Sequence, residues 1–171
     1  MSTRLAKTQS IQPSSSEVKI DKLDRQILAL LLEDARMSMV KIARETGLSH
    51  DAIKYRIERL KEKGVIKQFT TVLDPAKLGL YVLGDVALSL WNLDEKKFKE
   101  FDTFVKHHPY IVSVWTFSGK WDYFIEIQTQ DLAQFNEILN EIKLKFSGII
   151  KDSETLFVMK ELKFRMYPNI F

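Results

Sequence analysis

The sequence predicts an α+β protein in two parts, an N-terminal winged helix-turn-helix domain followed by a ferredoxin-like βαββαβ domain. Three observations carry this. Three short helical patterns crowd into residues 21–64, each opening on a capping residue, and only "TGLS" separates the last two. The remainder reads strand, helix, strand, strand, helix, strand. The charge is lopsided. Residues 1–75 hold 14 Lys/Arg against 10 Asp/Glu, and residues 76–171 hold 12 against 13. The net +3 of the chain therefore resides in the first part, which suits a polyanionic partner there and a different role elsewhere.

Residues 1–19, rich in Ser and poor in bulky apolar side chains, read as a flexible N-terminal tail. Residues 20–66 hold the helices. In "DKLDRQILALLLEDAR", Asp21 caps and Leu23, Ile27, Leu30 and Leu31 form an apolar stripe. In "SMVKIARETG", Ser38 caps, Ile42 and Ala43 face inward and Gly47 stops the helix. Met37 and Met39 read as core filler. In "SHDAIKYRIERLKEKG", Ser49 caps and Gly64 stops. Residues 67–80 read as a hinge: "VIKQFTTVL" is β-prone and fits a wing-like strand, and "DPAKLG" is a turn.

Residues 81–171 make the second domain. Strands are expected at Tyr81–Trp91, in "YIVSVWTFS", in "YFIEIQT" and in "TLFVMKELKF". The two helices turn Phe98, Phe101 and Val105, and Leu132, Phe135, Leu139, Ile142 and Phe146, toward the sheet. A sheet with one wet face alternates apolar and polar residues. "YIVSVWTF" and "YFIEIQ" instead carry large apolar residues on both parities, so the second face needs a cover, and a second copy of the chain supplies one.

Several classes are disfavoured. The absence of Cys removes disulfides and thiolate chemistry. His107 and His108, before Pro109, lack converging partners and read as a helix end, so neither a metal, a cofactor nor a catalytic residue is expected. No apolar run matches a membrane span and no signal peptide opens the chain, so a cytoplasmic location is expected.

The third helix carries the functional signal. At 100° per residue, Ile53, Ile57 and Leu60 face the core. Asp51, Tyr55 and Glu58 point away, Lys54 and Arg59 flank them, and Arg56 snorkels from the core edge. The N-terminal end of such a helix enters the major groove of double-stranded DNA. The candidate DNA-binding set is Ser49, His50, Asp51, Lys54, Tyr55, Arg56 and Arg59, the cations and hydroxyls suiting phosphates and His50, Asp51 and Lys54 also base edges. The competing reading is a solvated helix with ion pairs such as Lys54–Glu58; the tight turn before it and the β-prone stretch after it favour DNA.

Taken together, "LDRQILALLLEDARMSMVKIARETGLSHDAIKYRIERLKEKGVIKQF", "LDPAKLG" and "GKWDY" resemble the Lrp/AsnC (feast/famine) family of bacterial and archaeal transcription regulators, over roughly residues 20–165. The resemblance implies a second domain of the RAM/AsnC type that dimerises through its sheets and assembles further, to octamers. It also implies palindromic DNA sites and an amino-acid effector. On spacing alone "FSGKWDY" is a hairpin turn, with Gly119 left-handed and Asp122 capping. By the resemblance Gly119, Lys120, Trp121 and Asp122 form an effector-binding loop: Gly119 admits a ligand to the backbone, Trp121 walls it, Asp122 meets an ammonium group and Lys120 a carboxylate. Two other functions remain open. One is an architectural DNA-binding protein with no effector. The other is an enzyme such as a haem-biosynthesis decarboxylase of the same architecture, disfavoured because "IVSVWTFSGKWDY" lacks His and Arg.

Overall fold

A computed structural model of the chain describes residues 18–91 and 94–163. The expected tail at 1–19 falls almost wholly outside them. Two compact units meet in sequence between Val72 and Leu73.

The first unit consists of α1 (Lys22–Glu33), α2 (Met39–Thr46) and α3 (His50–Glu62). Each starts where an oxygen side chain satisfies a free backbone donor: Asp21 accepts from Asp24 N–H, Ser38 from Lys41 N–H and Ser49 from Ala52 N–H. The α1 cap is reciprocal, because the Asp24 carboxylate accepts from Asp21 N–H in turn. Gly47 lets α2 turn into α3 within three residues. It takes φ 71°, a left-handed value that costs glycine little, and donates its N–H to Ala43 O at 2.8 Å. Ile27, Met37, Ile42, Ile53 and Ile57 form the core, with Leu30, Leu31, Ala43, Leu48 and Ile66 against it. Each fully buried aliphatic contributes about 1.5–3 kcal/mol, so this small unit depends on few side chains. Met37 is buried as expected, whereas Met39 in the first turn of α2 is exposed.

The stretch after α3 departs from expectation. Lys67–Asp74 forms no strand, and Phe69, Val72 and Leu73 are exposed. A β-prone sequence makes a ladder only against a neighbouring strand, and none lies beside it among the described residues. "DPAKLG" does turn, as a single 3-10 turn at Ala76–Leu78 with Asp74 accepting from Ala76 N–H at 3.1 Å.

The second unit runs β1 (Val82–Leu90), α4 (Glu95–His107), β2 (Ile111–Thr116), β3 (Tyr123–Thr129), α5 (Leu132–Lys145) and β4 (Ile150–Phe157). The sheet order is β2-β3-β1-β4 with every neighbouring pair antiparallel, the ferredoxin-like arrangement expected. The helices cover one face. Phe101 and Val105 of α4 and Phe135, Ile138, Leu139 and Ile142 of α5 bury against Val86, Leu88, Ile125 and Ile127. Phe101 sets its ring edge-to-face against Tyr123 and Phe146, at 5.1 and 5.0 Å.

Two placements need correction. Leu132, expected inward, is exposed in the first turn of α5, and the buried stripe starts at Phe135 and gains Ile138. The last strand lies at Ile150–Phe157, several residues earlier than "TLFVMKELKF" suggested. Pairing decides its position. Antiparallel to β1, it matches Leu88 with Ser153 and Gly84 with Phe157, and just past Phe157 β1 runs out. The apolar run through Met159 has the stronger propensity but no strand beside it.

Neither α4 nor α5 covers the other sheet face. Two rows cross it: Trp115, Phe124, Ala87 and Glu154, then Ser113, Glu126, Asp85 and Leu156. Trp115 is 62% exposed and Leu156 52%. Ser113 Oγ donates to Glu126 at 2.6 Å. Partial burial, and then the Glu126 charge directly opposite, push the Asp85 carboxyl above its ordinary value.

Gly84 is the tightest point of the covered face. A Cβ there would stand 2.6 Å from Phe135 Cε2 and 2.7 Å from Cζ of the same ring, which is fully buried. Gly84→Ala is therefore expected to destabilise this unit by about 1–3 kcal/mol, and Phe135→Leu in the same chain should recover part of the loss. Urea unfolding followed by tryptophan fluorescence reads this, since Trp91, Trp115 and Trp121 all belong to this unit. An unchanged midpoint would contradict the contact.

Candidate nucleic-acid interface and effector loop

Helix α3 is built to show its N-terminal end. Ile53, Ile57 and Leu60 are buried and fix its inner face. Ser49, His50, Asp51, Lys54 and Tyr55 are exposed, and Tyr55 is 68% accessible although its ring is large. Lys54 takes part in no ion pair among the described residues, whereas Lys61 is paired with Glu58 at 3.0 Å. One end of the helix thus carries an unpaired cation, a phenol, an imidazole and a hydroxyl, all capable of phosphate or base contacts. The expected Lys54–Glu58 pair does not form; Glu58 turns to Lys61.

Arg56 and Arg59 are placed differently from the other five. Both reach back to α1 rather than outward. Arg56 Nη1 donates to Asp24 Oδ1 at 2.7 Å and to Asp21 Oδ2 at 2.6 Å. Arg59 Nη2 donates to Asp24 Oδ2. Asp24 is fully buried, and a carboxylate without water is tolerable only when paired. The Arg56 guanidinium also holds the Asp21 carboxyl below its ordinary value, followed in effect by the bond from Asp24 N–H. Two acids and two guanidiniums balance to zero, so this corner offers a polyanion little net charge. Sequence reasoning missed Asp24. The signal was present: Asp24 precedes Ile27, Leu28 and Leu31 by three, four and seven residues, a core-facing position where an acid demands a buried cation.

The loop between β2 and β3 is fastened through Asp122. Its N–H donates to Leu88 O at 2.9 Å, its carboxylate accepts from Leu90 N–H at 2.7 Å, and its carbonyl accepts from Phe117 N–H at 2.8 Å. The side chain thus ties the loop to β1 rather than capping a turn within it. One carboxylate oxygen, Oδ1, carries no protein hydrogen bond among the described residues. Gly119 takes a positive φ of 153°, a value side chains other than glycine rarely adopt, and a Cβ there would meet nothing within 4 Å. Lys120 Nζ lies 4.4 Å from the Trp121 ring centroid, a cation–π contact that keeps the ammonium at the loop. Gly119, Lys120, Trp121 and Asp122 therefore share one short segment, with Trp121 and Asp122 half-buried and the other two exposed. Next in sequence, the buried Tyr123 donates its hydroxyl to Asp102 at 2.8 Å; burial, and then that bond, push its pKa well up.

Among the described residues no cluster of His, Asp and Glu suits a metal, and no helix is long and apolar enough to cross a membrane.

Two family models match. One, a winged helix-turn-helix DNA-binding module, covers residues 20–67, and the other, the Lrp/AsnC ligand binding domain, covers residues 86–168. The chain is 31% identical to the proline dehydrogenase transcriptional activator of Rhizobium radiobacter, over 84% of this chain and 92% of that one. It is also 31% identical to the leucine-responsive regulatory protein of Escherichia coli K12, over 84% and 87%. Among solved structures it resembles an AsnC family transcriptional regulator from Agrobacterium tumefaciens, with a TM-score of 0.79, 28% identity and coverage of 86% and 95%. Matches to both units, in this order and over nearly their whole lengths, establish that the chain belongs to the Lrp/AsnC family of transcription regulators, not to the enzymes that share the second fold.

Proposed function

We propose that the protein binds double-stranded DNA through the exposed end of α3 as a homodimer, and that a small metabolite, an amino acid or a relative of one, modulates it at the Gly119–Asp122 loop. The observation that carries the DNA reading is the unpaired Lys54 beside Tyr55 and His50 on the outer face of a capped helix. Selection from a pool of randomised duplexes about three helical turns long should enrich one motif, in two halves if the dimer reads it symmetrically. Lys54→Ala should weaken binding to the enriched duplex and reduce the steepness of its salt dependence by about 0.9 per bound chain. No enrichment, or an unaffected Lys54→Ala variant, contradicts this face.

The effector reading is supported by the ligand-binding family model over residues 86–168 and by the name of the E. coli relative, leucine-responsive. In the loop, the Asp122 Oδ1 oxygen suits an ammonium group and the Lys120 ammonium a carboxylate. Asp122→Ala would also orphan Leu90 N–H, so the informative change is Asp122→Asn, which keeps an acceptor there and removes the charge. Calorimetry across the common amino acids should find a ligand for the wild type and a loss of at least about tenfold in affinity for Asp122→Asn, the scale of a lost charged hydrogen bond, with DNA binding in the absence of ligand retained. Equal affinities would leave the loop a turn and favour an architectural protein without effector.

The dimer reading rests on the open sheet face, where Trp115, Phe117 and Leu156 are exposed beside Phe124. Exposed apolar side chains on this scale call for a partner, and two copies can satisfy each other. Octameric assembly would follow from further contacts between dimers. Trp115→Glu should shift the full chain toward monomer in sedimentation; an unshifted dimer would place the interface elsewhere.

A further inference from the structure

We propose that Asp24 is a positioning residue for DNA recognition, holding Arg56 and Arg59 so that these guanidiniums fix the setting of α3 instead of neutralising phosphates. The inference rests on the reading of α3 as the DNA helix and deepens it.

The packing of α3 on its own leaves something undetermined. Ile53, Ile57 and Leu60 are held by apolar contact, which has no directionality and tolerates small rotations and slides. A rotation of one residue's worth would carry Lys54 and Tyr55 to a different side of the helix. Hydrogen bonds to charged groups are directional and strong. Arg56 and Arg59 are three residues apart, on one edge of α3, and both end on the single Asp24 carboxylate, one on each oxygen. Two anchors on one helix restrict rotation as well as translation, where one would leave a pivot. The carboxylate is itself held, because Oδ2 also accepts from Asp21 N–H at 3.1 Å. Arg56 Nη1 bridges to Asp21, so the cap of α1 and the anchor of α3 are one hydrogen-bonded group. The side chains of Arg56 and Arg59 are 20% and 33% exposed, against 0% for Asp24, so water competes little for these bonds.

The consequence is specific. Removing a cation that touches phosphate flattens the salt dependence of DNA binding. Removing a cation that only positions the helix leaves that dependence alone and harms discrimination between sequences. Removing the Asp24 charge releases the Arg59 guanidinium, while Arg56 keeps Asp21, and the freed cation then steepens it. Lost fold stability by itself lowers affinity for all duplexes alike and cannot add phosphate contacts.

The test uses the full chain and two duplexes, the one enriched from the randomised pool and one unselected duplex of equal length, titrated over a potassium chloride series. Lys54→Gln is the reference and should lower the slope on the unselected duplex by about 0.9 per bound chain. Arg59→Gln should leave that slope at the wild-type value while the preference for the enriched duplex falls about tenfold or more, the scale of one lost base-pair preference. Asp24→Asn should lose preference likewise and steepen the slope by up to about 0.9 per chain. Circular dichroism checks each fold, and if Asp24→Asn is unfolded, the charge-balanced Asp24→Asn/Arg59→Gln variant takes its place with loss of preference expected. An Arg59→Gln variant that loses slope as Lys54→Gln does, or an Asp24 variant that keeps full preference, overturns the positioning role while leaving α3 as the DNA helix. A wild type that prefers neither duplex overturns both.

Discussion

A carboxylate cut off from water must be met by positive charge, and in this chain the cost of that rule organises the DNA-binding unit. Asp24 occupies a core-facing place on α1 with no solvent access. Both arginines of α3 answer it, which binds α3 to α1. Breaking one partner of such a group costs about 3–5 kcal/mol because a charge is left stranded. The small apolar core of this unit, seven buried side chains with a few flanking ones, cannot absorb losses of that size easily. The clasp also gives the cations of α3 separate roles. Arg56 and Arg59 turn inward, Lys61 goes to Glu58, and Lys54 stays outward and unpaired.

The second unit meets a different constraint. One sheet face is sealed by α4 and α5 so tightly that Gly84 has room only for hydrogen beneath the Phe135 ring. The other face mixes Trp115, Phe124 and Leu156 with Asp85, Glu126 and Glu154. A second copy laid on it would bury apolar area and confront acids with acids. Partial burial, and then the Glu126 charge opposite, already hold the Asp85 carboxyl above its ordinary value. Were two copies to meet through this face, lower pH would relieve the repulsion.

Much of this was legible in the sequence. Asp21, Ser38 and Ser49 announced the three helix starts and Gly47 the turn, because caps and left-handed residues are local requirements met by few side chains. The ferredoxin-like order was legible from strand and helix periodicity. What was not legible depended on partners distant in sequence. The last strand sits where β1 can pair with it, not where "TLFVM" has the highest propensity. "VIKQFTTVL" has the composition of a strand and pairs with none among the described residues. Asp122 has the look of a turn cap and instead bonds Leu90, far back along the chain. A helical wheel gives the angle of Arg56 and Arg59 on α3, but only knowledge of the buried acid across the interface tells which way long side chains bend.

The division of labour among the cations of α3 is tested most directly by their side-chain N–H signals. Those of Arg56, Arg59 and Lys54 can be followed by nuclear magnetic resonance in the free protein and on the enriched duplex. If Asp24 holds the two arginines, their guanidinium signals exchange slowly with water in the free protein and stay in place when DNA binds, while the Lys54 ammonium signal shifts and sharpens. Guanidinium signals that exchange fast in the free protein, or that move on DNA while Lys54 stays still, would contradict it.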